Sequence, residues 1–312
     1  MNRFTAPLIP PMLGLGIAIL AVSTSSLFIR FAQAAAPSLA IAAWRLTLAS
    51  CVLIPLAWRH NRTEIRQLSR KLVGLLILSG VFLCLHFATW ITSLEYTSVA
   101  SSVVLVTTSP LWVALLSPLV LREGLPKMVW VGLVLALVGG TVVAGSDVCQ
   151  FGASGVMCLD LQSLAREQGM WGNFLALVGA WCVAGYILIG RWVRPQLSLL
   201  SYTAVVYGVA AVGLIGLAGV NQTQLFGFQP ITFLWFALLA LIPQLIGHST
   251  YNWALRYLSA ATVSVAGLGE PIGSSLLAYL FLSEPPTGLE VVGGGLILVG
   301  IYFSSIARPG GG

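Results

Sequence analysis

The sequence predicts an all-α integral membrane protein with ten transmembrane helices, arranged as two inverted five-helix repeats around a central cavity. Of its 312 residues, 58% are hydrophobic and only 8% are charged, whereas a soluble domain has about 25% charged residues. Long apolar runs follow one another, and about 20 apolar residues in a helix cross the ~30 Å hydrocarbon core of a bilayer. In addition, Leu94 to Gly139 is similar without a gap to Leu255 to Gly300, at an offset of 161 residues.

Ten apolar runs bounded by charged residues, Pro and Gly are the predicted spans. They are 11–31, 38–58, 72–93, 98–121, 127–145, 170–190, 198–219, 232–254, 261–282 and 287–306. The polar segment 146–169 divides the chain into a first repeat at 1–145, an extracytoplasmic linker and a second repeat at 170–312. A unit of five spans ends on the opposite side of the membrane from its start, so the second copy is expected to be inverted.

Spans one to three carry two kinds of polar feature. The run from Pro11 to Ile29 is too long for the apolar core of a signal peptide and is interpreted as the first helix. Arg45 lies about two turns inside span two, where it can bind a carboxylate, pair with Glu270 or extend its stem towards the surface. In span three, His86, Trp90 and Ser93 are spaced to share one helix face.

Spans four and nine carry Pro110 and Pro271, and spans five and ten carry paired glycines. Each proline removes one backbone hydrogen bond and allows a kink, which predicts either two gating hinges or two fixed kinks needed for packing. The glycines are seven residues apart on one helix face and favour close packing of spans five and ten, or a dimer contact. They are Gly132, Gly139, Gly293 and Gly300.

The linker and the later spans contain the remaining candidates. Cys149 and Cys158 share the linker and can form a disulfide or stay as two thiols. In span eight, Gln244, His248 and Asn252 are spaced for one face, and span nine has Glu270 where the first copy has Ser109. Most other Trp and Tyr residues within the spans are interpreted as packing residues or interfacial anchors.

Lys and Arg in the short loops predict the orientation. Arg59, Arg62, Arg66, Arg70 and Lys71 crowd into one loop, whereas the opposite side holds only Arg30 and Arg166. By the positive-inside rule both termini are cytoplasmic, and the 146–169 linker is outside. The net charge of +6 is thereby explained by topology, and no nucleic-acid partner is expected.

Several sequence motifs resemble those of the EamA-type family of the drug/metabolite transporter superfamily. They are Glu270-Pro271 followed by Glu284, Leu94-Glu95-Tyr96-Thr97 followed by Pro110 and Glu123, and Arg45 in span two. The resemblance covers essentially the whole chain. It implies ten helices in two inverted repeats around a central cavity, in proteins that usually export amino acids or related small metabolites.

The predicted function is therefore a secondary transporter of the cell (inner) membrane that exports small metabolites by alternating access. The predicted substrate-binding residues are His86, Trp90, Ser93, Gln244, His248, Asn252 and Glu270. No catalytic residue, metal or cofactor is predicted, and without a GxxxxGK[ST] loop the transport is coupled to protons or to the substrate gradient. A small-molecule substrate and the lipid bilayer are the expected partners, and a monomer and a homodimer both remain open. The alternatives are a membrane-embedded enzyme and a receptor or scaffold.

Overall fold

The computed structural model describes residues 7, 9–96, 102, 105–122, 124–145, 149–152, 155–158, 167–282 and 288–306. This part of the chain is helical apart from one short hairpin. In chain order the helices are α1 (Pro11–Gln33), α2 (Ser38–His60), α3 (Arg62–Arg66), α4 (Arg70–Tyr96), α5 (Ser109–Val120), α6 (Lys127–Gly145), α7 (Glu167–Val193), α8 (Leu199–Val220), α9 (Pro230–Leu239), a π-helix (Ala240–His248), α10 (Ser249–Ala254), α11 (Ala260–Gly267), α12 (Glu270–Leu282) and α13 (Gly288–Ile306).

Six helical stretches among the described residues are long and apolar enough to cross a membrane. They are Pro11–Gln33, Ser38–His60, Arg70–Tyr96, Trp171–Val193, Leu199–Val220 and Pro230–Ala254. Each coincides with a predicted span, namely one, two, three, six, seven and eight. The chain is therefore a multi-pass membrane protein.

Spans four and nine differ from the continuous, kinked helices that the prolines predict. A turn at Thr107–Thr108 precedes α5, and a turn at Leu268–Gly269 separates α11 from α12. Pro110 lies in the first turn of α5, where a missing backbone N–H costs no helical hydrogen bond. The proline therefore belongs to the start of a half-helix. The backbone of residue 271 holds the same place in α12, but its side chain lies outside the described residues, as do Glu123 and Glu284.

Span eight changes its helical type in mid-course. The nine residues of the π-helix contain Pro243 and lie between two ordinary α-helical segments. A π-helix places more residues in each turn than an α-helix and often occurs at functional sites.

Helices α6 and α13 pack closely against each other through glycines. A Cβ atom added to Gly139 would lie 2.5 Å from the carbonyl oxygen of Gly293, and one added to Gly300 would lie 2.5 Å from that of Gly132. The two contacts are reciprocal. Only residues without a side chain allow the two backbones to approach so closely within a bilayer.

The 146–169 linker contains the hairpin. Strands β1 (Cys149–Gly152) and β2 (Gly155–Cys158) pair antiparallel, and the register places Cys149 opposite Cys158. The backbone alone is described there, so the state of the two thiols lies outside the described residues.

Candidate functional site

A cavity of about 110 Å³ lies between helices of both halves of the chain. Its walls come from α1, α4, α5, α7, the π-helix and the segments that follow it. The polar lining residues from before the linker are Ser25, His86, Trp90, Thr107 and Ser109, and those from after it are Tyr186, His248, Tyr251, Asn252, Ser264 and Glu270. Apolar pockets that enclose small ligands usually measure about 300–1,000 Å³, so this cavity is smaller than a typical ligand pocket.

His86 is held in one orientation by its neighbours. Its Nδ1 lies 3.0 Å from the carbonyl oxygen of Gly179, and a carbonyl only accepts, so Nδ1 carries the proton. In the neutral ring Nε2 is then a hydrogen-bond acceptor. The Trp90 ring stacks on the imidazole, with 5.8 Å between ring centroids. A Cβ atom on Gly179 would lie 3.3 Å from that of Trp90, so the glycine allows α7 to approach α4.

Span eight presents His248 and Asn252 to the cavity but turns Gln244 away. His248 contacts the edge of the Phe87 ring, with 5.4 Å between ring centroids. The Asn252 amide nitrogen donates to the carbonyl of His248 (2.8 Å) and to the hydroxyl of Tyr186. Gln244 is fully buried and does not line the cavity. Its Oε1 instead accepts a hydrogen bond from Nε of Arg45 (2.8 Å).

Glu270 lies where the helix of span nine is interrupted. It is the first residue of α12, and a carboxylate in the first turn is stabilised by the helix dipole. The hydroxyl of Ser23 donates to the backbone carbonyl of Glu270 (3.2 Å). The hydroxyl of Ser274 donates to the backbone carbonyl of Ser23 (3.1 Å). These bonds connect the start of α12 to α1. Glu270 is the one acidic or basic side chain, apart from the histidines, among the described lining residues.

Ser109 occupies the equivalent position in the first half and begins α5. Pro110 has no backbone N–H, and that of Leu111 donates to the carbonyl of Thr108 (2.9 Å). This helix start therefore offers the cavity the positive end of its dipole and the Ser109 side chain, with no free pair of N–H groups. Among its described lining residues, the cavity has a carboxylate at one half-helix start and no carboxylate at the other.

Three buried polar atoms of lining residues have no hydrogen-bond partner. They are Nε1 of Trp90, the hydroxyl of Tyr251 and Oδ1 of Asn252. Trp90 is 6% exposed and Asn252 is 0% exposed. Because buried polar groups are nearly always paired, such atoms indicate a place for water or a solute. Together they offer a donor, an acceptor and a hydroxyl that can do either.

Arg45 is fully buried beside the cavity and does not extend to the surface. Its Nε donates to Oε1 of Gln244 (2.8 Å), and its Nη1 donates to the hydroxyl of Ser25 (2.9 Å). Its guanidinium lies 4.3 Å from the centre of the Phe87 ring. No carboxylate among the described residues forms an ion pair with it. Arg45 thus supports the cavity wall through Ser25 without lining it.

Of the seven predicted substrate-binding residues, the structure places five at the cavity: His86, Trp90, His248, Asn252 and Glu270. Gln244 and Ser93 are not among the lining residues, and the hydroxyl of Ser93 instead pairs with that of Ser102 at 2.6 Å. Tyr186 and Tyr251 were missed by the sequence reasoning, since an aromatic residue in a span has no pattern that separates lining from packing. No cluster of three or more side chains suited to a metal ion occurs among the described residues.

Comparison with known proteins gives the family. The profile of the EamA-like transporter family matches residues 10–145 and again 170–306. The chain belongs to the EamA-like transporter family. This EamA-like chain is 22% identical to the uncharacterized transporter YyaM of Bacillus subtilis, over 85% of the chain and 83% of the relative. It is also 22% identical to an uncharacterized transporter of Archaeoglobus fulgidus, over 93% of the chain and 96% of the relative.

A plant relative and a solved structure extend the comparison. The WAT1-related protein At3g02690, chloroplastic, of Arabidopsis thaliana is 24% identical over 67% of the chain and 49% of that protein. A solved structure titled only as the crystal structure of a protein aligns with a TM-score of 0.73 and 19% identity, over 95% of this chain and 96% of the other. The EamA-like chain therefore shares the fold of that structure.

Proposed function

We propose that this protein is a secondary transporter that exports small zwitterionic metabolites, amino acids among them, by alternating access. The observation that carries the proposal is the cavity between the two halves, with Glu270 at the start of α12 and the positive dipole end of α5 at Ser109. A carboxylate suits a substrate ammonium, and a helix start suits a substrate carboxylate. A solute with both groups matches both ends. Trp90, Tyr251 and Asn252 add unpaired hydrogen-bonding atoms.

The proposal includes ten spans in two inverted repeats, at 1–145 and 170–312. Three features support it: the double match to the family profile, the helix interruptions at 107–108 and 268–269, and the reciprocal glycine contacts of α6 and α13. A fourth supporting feature is a pair of hydrogen bonds whose donors and acceptors are related by the 161-residue offset between the two repeats. The Gln33 amide donates to the carbonyl of Ile91 (3.5 Å), and Arg194 Nε donates to that of Asn252 (2.9 Å).

Alternating access then requires one half to rock against the other around the cavity. The interrupted helices α5 and α11–α12 are the proposed hinges, with Pro110 and Pro271 at the half-helix starts. The small volume of the cavity is compatible with a substrate-free or occluded state in such a cycle. Coupling to protons is proposed to act through His86, His248 or Glu270. We place the protein in the cell (inner) membrane with both termini cytoplasmic, on the distribution of Lys and Arg.

We also propose a disulfide between Cys149 and Cys158. Directly opposed residues in an antiparallel pair have Cα atoms about 4.5–5.5 Å apart, within the range that a disulfide spans. The hairpin register pairs these two positions. Labelling of the unreduced, denatured protein with a maleimide should modify three of its five cysteines. Labelling of all five would contradict the bridge.

Counterflow in proteoliposomes tests the transport proposal. Purified full-length protein is reconstituted in liposomes loaded with one unlabelled solute from a panel of amino acids, amines and carboxylates. We expect uptake of the labelled form of at least one amino acid, and little uptake of its amine or carboxylate analogue, because only the zwitterion matches both ends of the cavity. Liposomes with the Glu270→Gln protein are the matched control. If no panel member moves while the protein is monodisperse and helical, the proposal is wrong.

A further inference from the structure

A second cavity lies on the outer face of the helix bundle, away from the central site. It measures about 480 Å³ and its lining side chains are apolar. The helices α2, α3, α4 and α8 form its walls. The lining residues that matter below are Ile54, Trp58, Ile65, Ile77, Gly208 and Val212. We refer to it as the outer groove.

A glycine allows α2 and α8 to pack closely at the outer groove. A Cβ atom on Gly208 would lie 3.3 Å from Cδ1 of Ile54, so the Ile54 side chain packs against the backbone of α8 at this point. Along α8 the lining runs from Ala204 to Val212, which is about 12 Å of helix. One leaflet contributes about 15 Å of hydrocarbon. The groove therefore extends over most of the depth of one leaflet.

The surface end of the outer groove carries positive charge. Both Arg62 and Arg66 lie over the ring of Trp58, with the guanidinium carbons 4.9 and 5.5 Å from its centroid. The two arginines are one turn apart on α3 and are exposed. Two cations on one ring repel each other, and no carboxylate among the described residues pairs with either.

Glu64 is the one acidic residue of α3, and its carboxylate already accepts hydrogen bonds from the start of α8. The backbone N–H of Ser198 donates to Oε1 of Glu64 (2.9 Å), and the hydroxyls of Ser198 and Ser201 donate to Oε2, as does the Asn61 amide (3.0 Å). Glu64 thus fixes α3 to the start of α8. This contact holds Arg62 and Arg66 at the mouth of the groove, with their charges available to a ligand.

We propose that the outer groove binds one anionic phospholipid. Its phosphate contacts Arg62 and Arg66, and one acyl chain lies along Ile54, Ile77 and Val212. Guanidinium groups bind phosphate through paired, charge-assisted hydrogen bonds, and an apolar groove of this depth suits a chain from the same leaflet. A zwitterionic lipid has the same chains without the net charge, and a soluble phosphate has the charge without the chains. Only the anionic lipid matches both parts.

Native mass spectrometry of the full-length protein in detergent measures this binding. The protein is titrated with phosphatidylglycerol and with phosphatidylcholine of identical acyl chains. We expect phosphatidylglycerol to bind at least about tenfold more tightly, since each basic residue near an anionic headgroup contributes substantially. The Arg62→Gln/Arg66→Gln protein should lose this preference. The Arg122→Gln/Lys127→Gln protein has the same change in net charge outside the groove and should keep it.

A second pair of variants tests the acyl chain. Val212→Trp fills the deep end of the groove at a lipid-exposed position and should weaken binding of both lipids. Val220→Trp, on the same helix but outside the groove, should leave binding unchanged. Glycerol phosphate should not compete with the lipid. Equal binding of the two lipids, an unchanged preference in Arg62→Gln/Arg66→Gln, or effective competition by glycerol phosphate would each overturn the proposal.

Discussion

Positions that the two halves share and positions where they differ have separate tasks. The shared glycines Gly139 and Gly300 make the reciprocal contacts between α6 and α13, and neither of them lines the central cavity. Ser109 and Glu270 stand at equivalent positions, yet both line the central cavity with different chemistry. A symmetric contact requires equal residues, whereas binding of an asymmetric solute requires unequal ones. We therefore expect duplication to supply the scaffold and divergence to supply the chemistry.

Positions 86 and 247 show the same division within one aligned pair. His86 lines the cavity, whereas its counterpart Gly247 allows α1 to approach, because a Cβ atom there would lie 2.6 Å from Cγ1 of Val22. At this one position, therefore, one half has a polar side chain that lines the cavity and the other half has a close helix contact.

Among the tests of this comparison, removing the charge from Glu270 should have the largest effect on transport. Glu270→Gln leaves a substrate ammonium without a counter-charge, and the loss of such a contact corresponds to about 100-fold in transport rate. Glu270→Asp should retain part of the activity because the charge is kept. Initial rates of amino-acid uptake in proteoliposomes measure both. Equal rates in Glu270→Gln and the unmodified protein would mean that the difference between the halves at this position has no role in transport.

The shared glycines should give two matching losses of stability. Gly139→Ala and Gly300→Ala each drive a methyl group into a backbone carbonyl 2.5 Å away, which costs about 1–3 kcal/mol. For a protein of this size the thermal midpoint in detergent should fall by roughly 2–6 °C. Gly216→Ala, where nothing lies within 4 Å, is the control. A loss in one variant but not in the other would break the proposed symmetry of the contact.

The third test separates His86 from its counterpart. His86→Asn retains a donor for the carbonyl of Gly179 but removes the ring atom Nε2, so transport should fall about tenfold with little loss of stability. Gly247→Ala should instead lower the thermal midpoint, because its methyl group meets Val22. Uptake rates and melting curves for both variants distinguish the two roles. The comparison fails if His86→Asn destabilises the protein as much as Gly247→Ala does.

The smallest predicted effect concerns Glu64, which is one of two glutamates whose carboxylates accept a hydrogen bond at the start of another helix. Glu95 accepts from the backbone N–H of Ser38 (3.0 Å) within the first half, whereas Glu64 holds Ser198 of the second half. Burial raises the pKa of Glu64, but hydrogen bonds from Ser198, Ser201 and Asn61 outweigh it and lower that pKa below its usual value.

Because the pKa of Glu64 is lowered in the folded state, its contribution to stability is present above the usual glutamate pKa and is lost as pH falls through the folded pKa. Glu64→Gln should lower the free energy of unfolding by about 1 kcal/mol at pH 7. The difference between the two proteins should shrink below about pH 4.5. Melting curves from pH 7 to pH 3.5 measure it, and a difference that grows at low pH would contradict this role of Glu64.

The sequence predicted much of the site because two of its signals are physically simple. His86 and Trp90 are four residues apart on a helix that stays regular, so their shared face was readable from spacing. Glu270 was identifiable because an acid within an apolar span is costly and therefore marks a pathway or a partner. Gln244 is fully buried and absent from the cavity lining, because its Oε1 accepts a hydrogen bond from Arg45; that contact joins distant helices, so spacing along one helix does not reveal it.

By itself the sequence determined that the protein crosses the membrane several times, the family, the six spans that the structure confirms and five of the eleven polar lining residues, because hydropathy and helical spacing are local properties of the chain. Only the tertiary structure decided that the helices of spans four and nine are interrupted, that Arg45 is held by Gln244 and Ser25, and that Tyr186 and Tyr251 reach the cavity. It also brought Arg62 and Arg66 over Trp58 at the outer groove. These arrangements depend on which helices are neighbours and at what rotation, which is set by packing between distant segments.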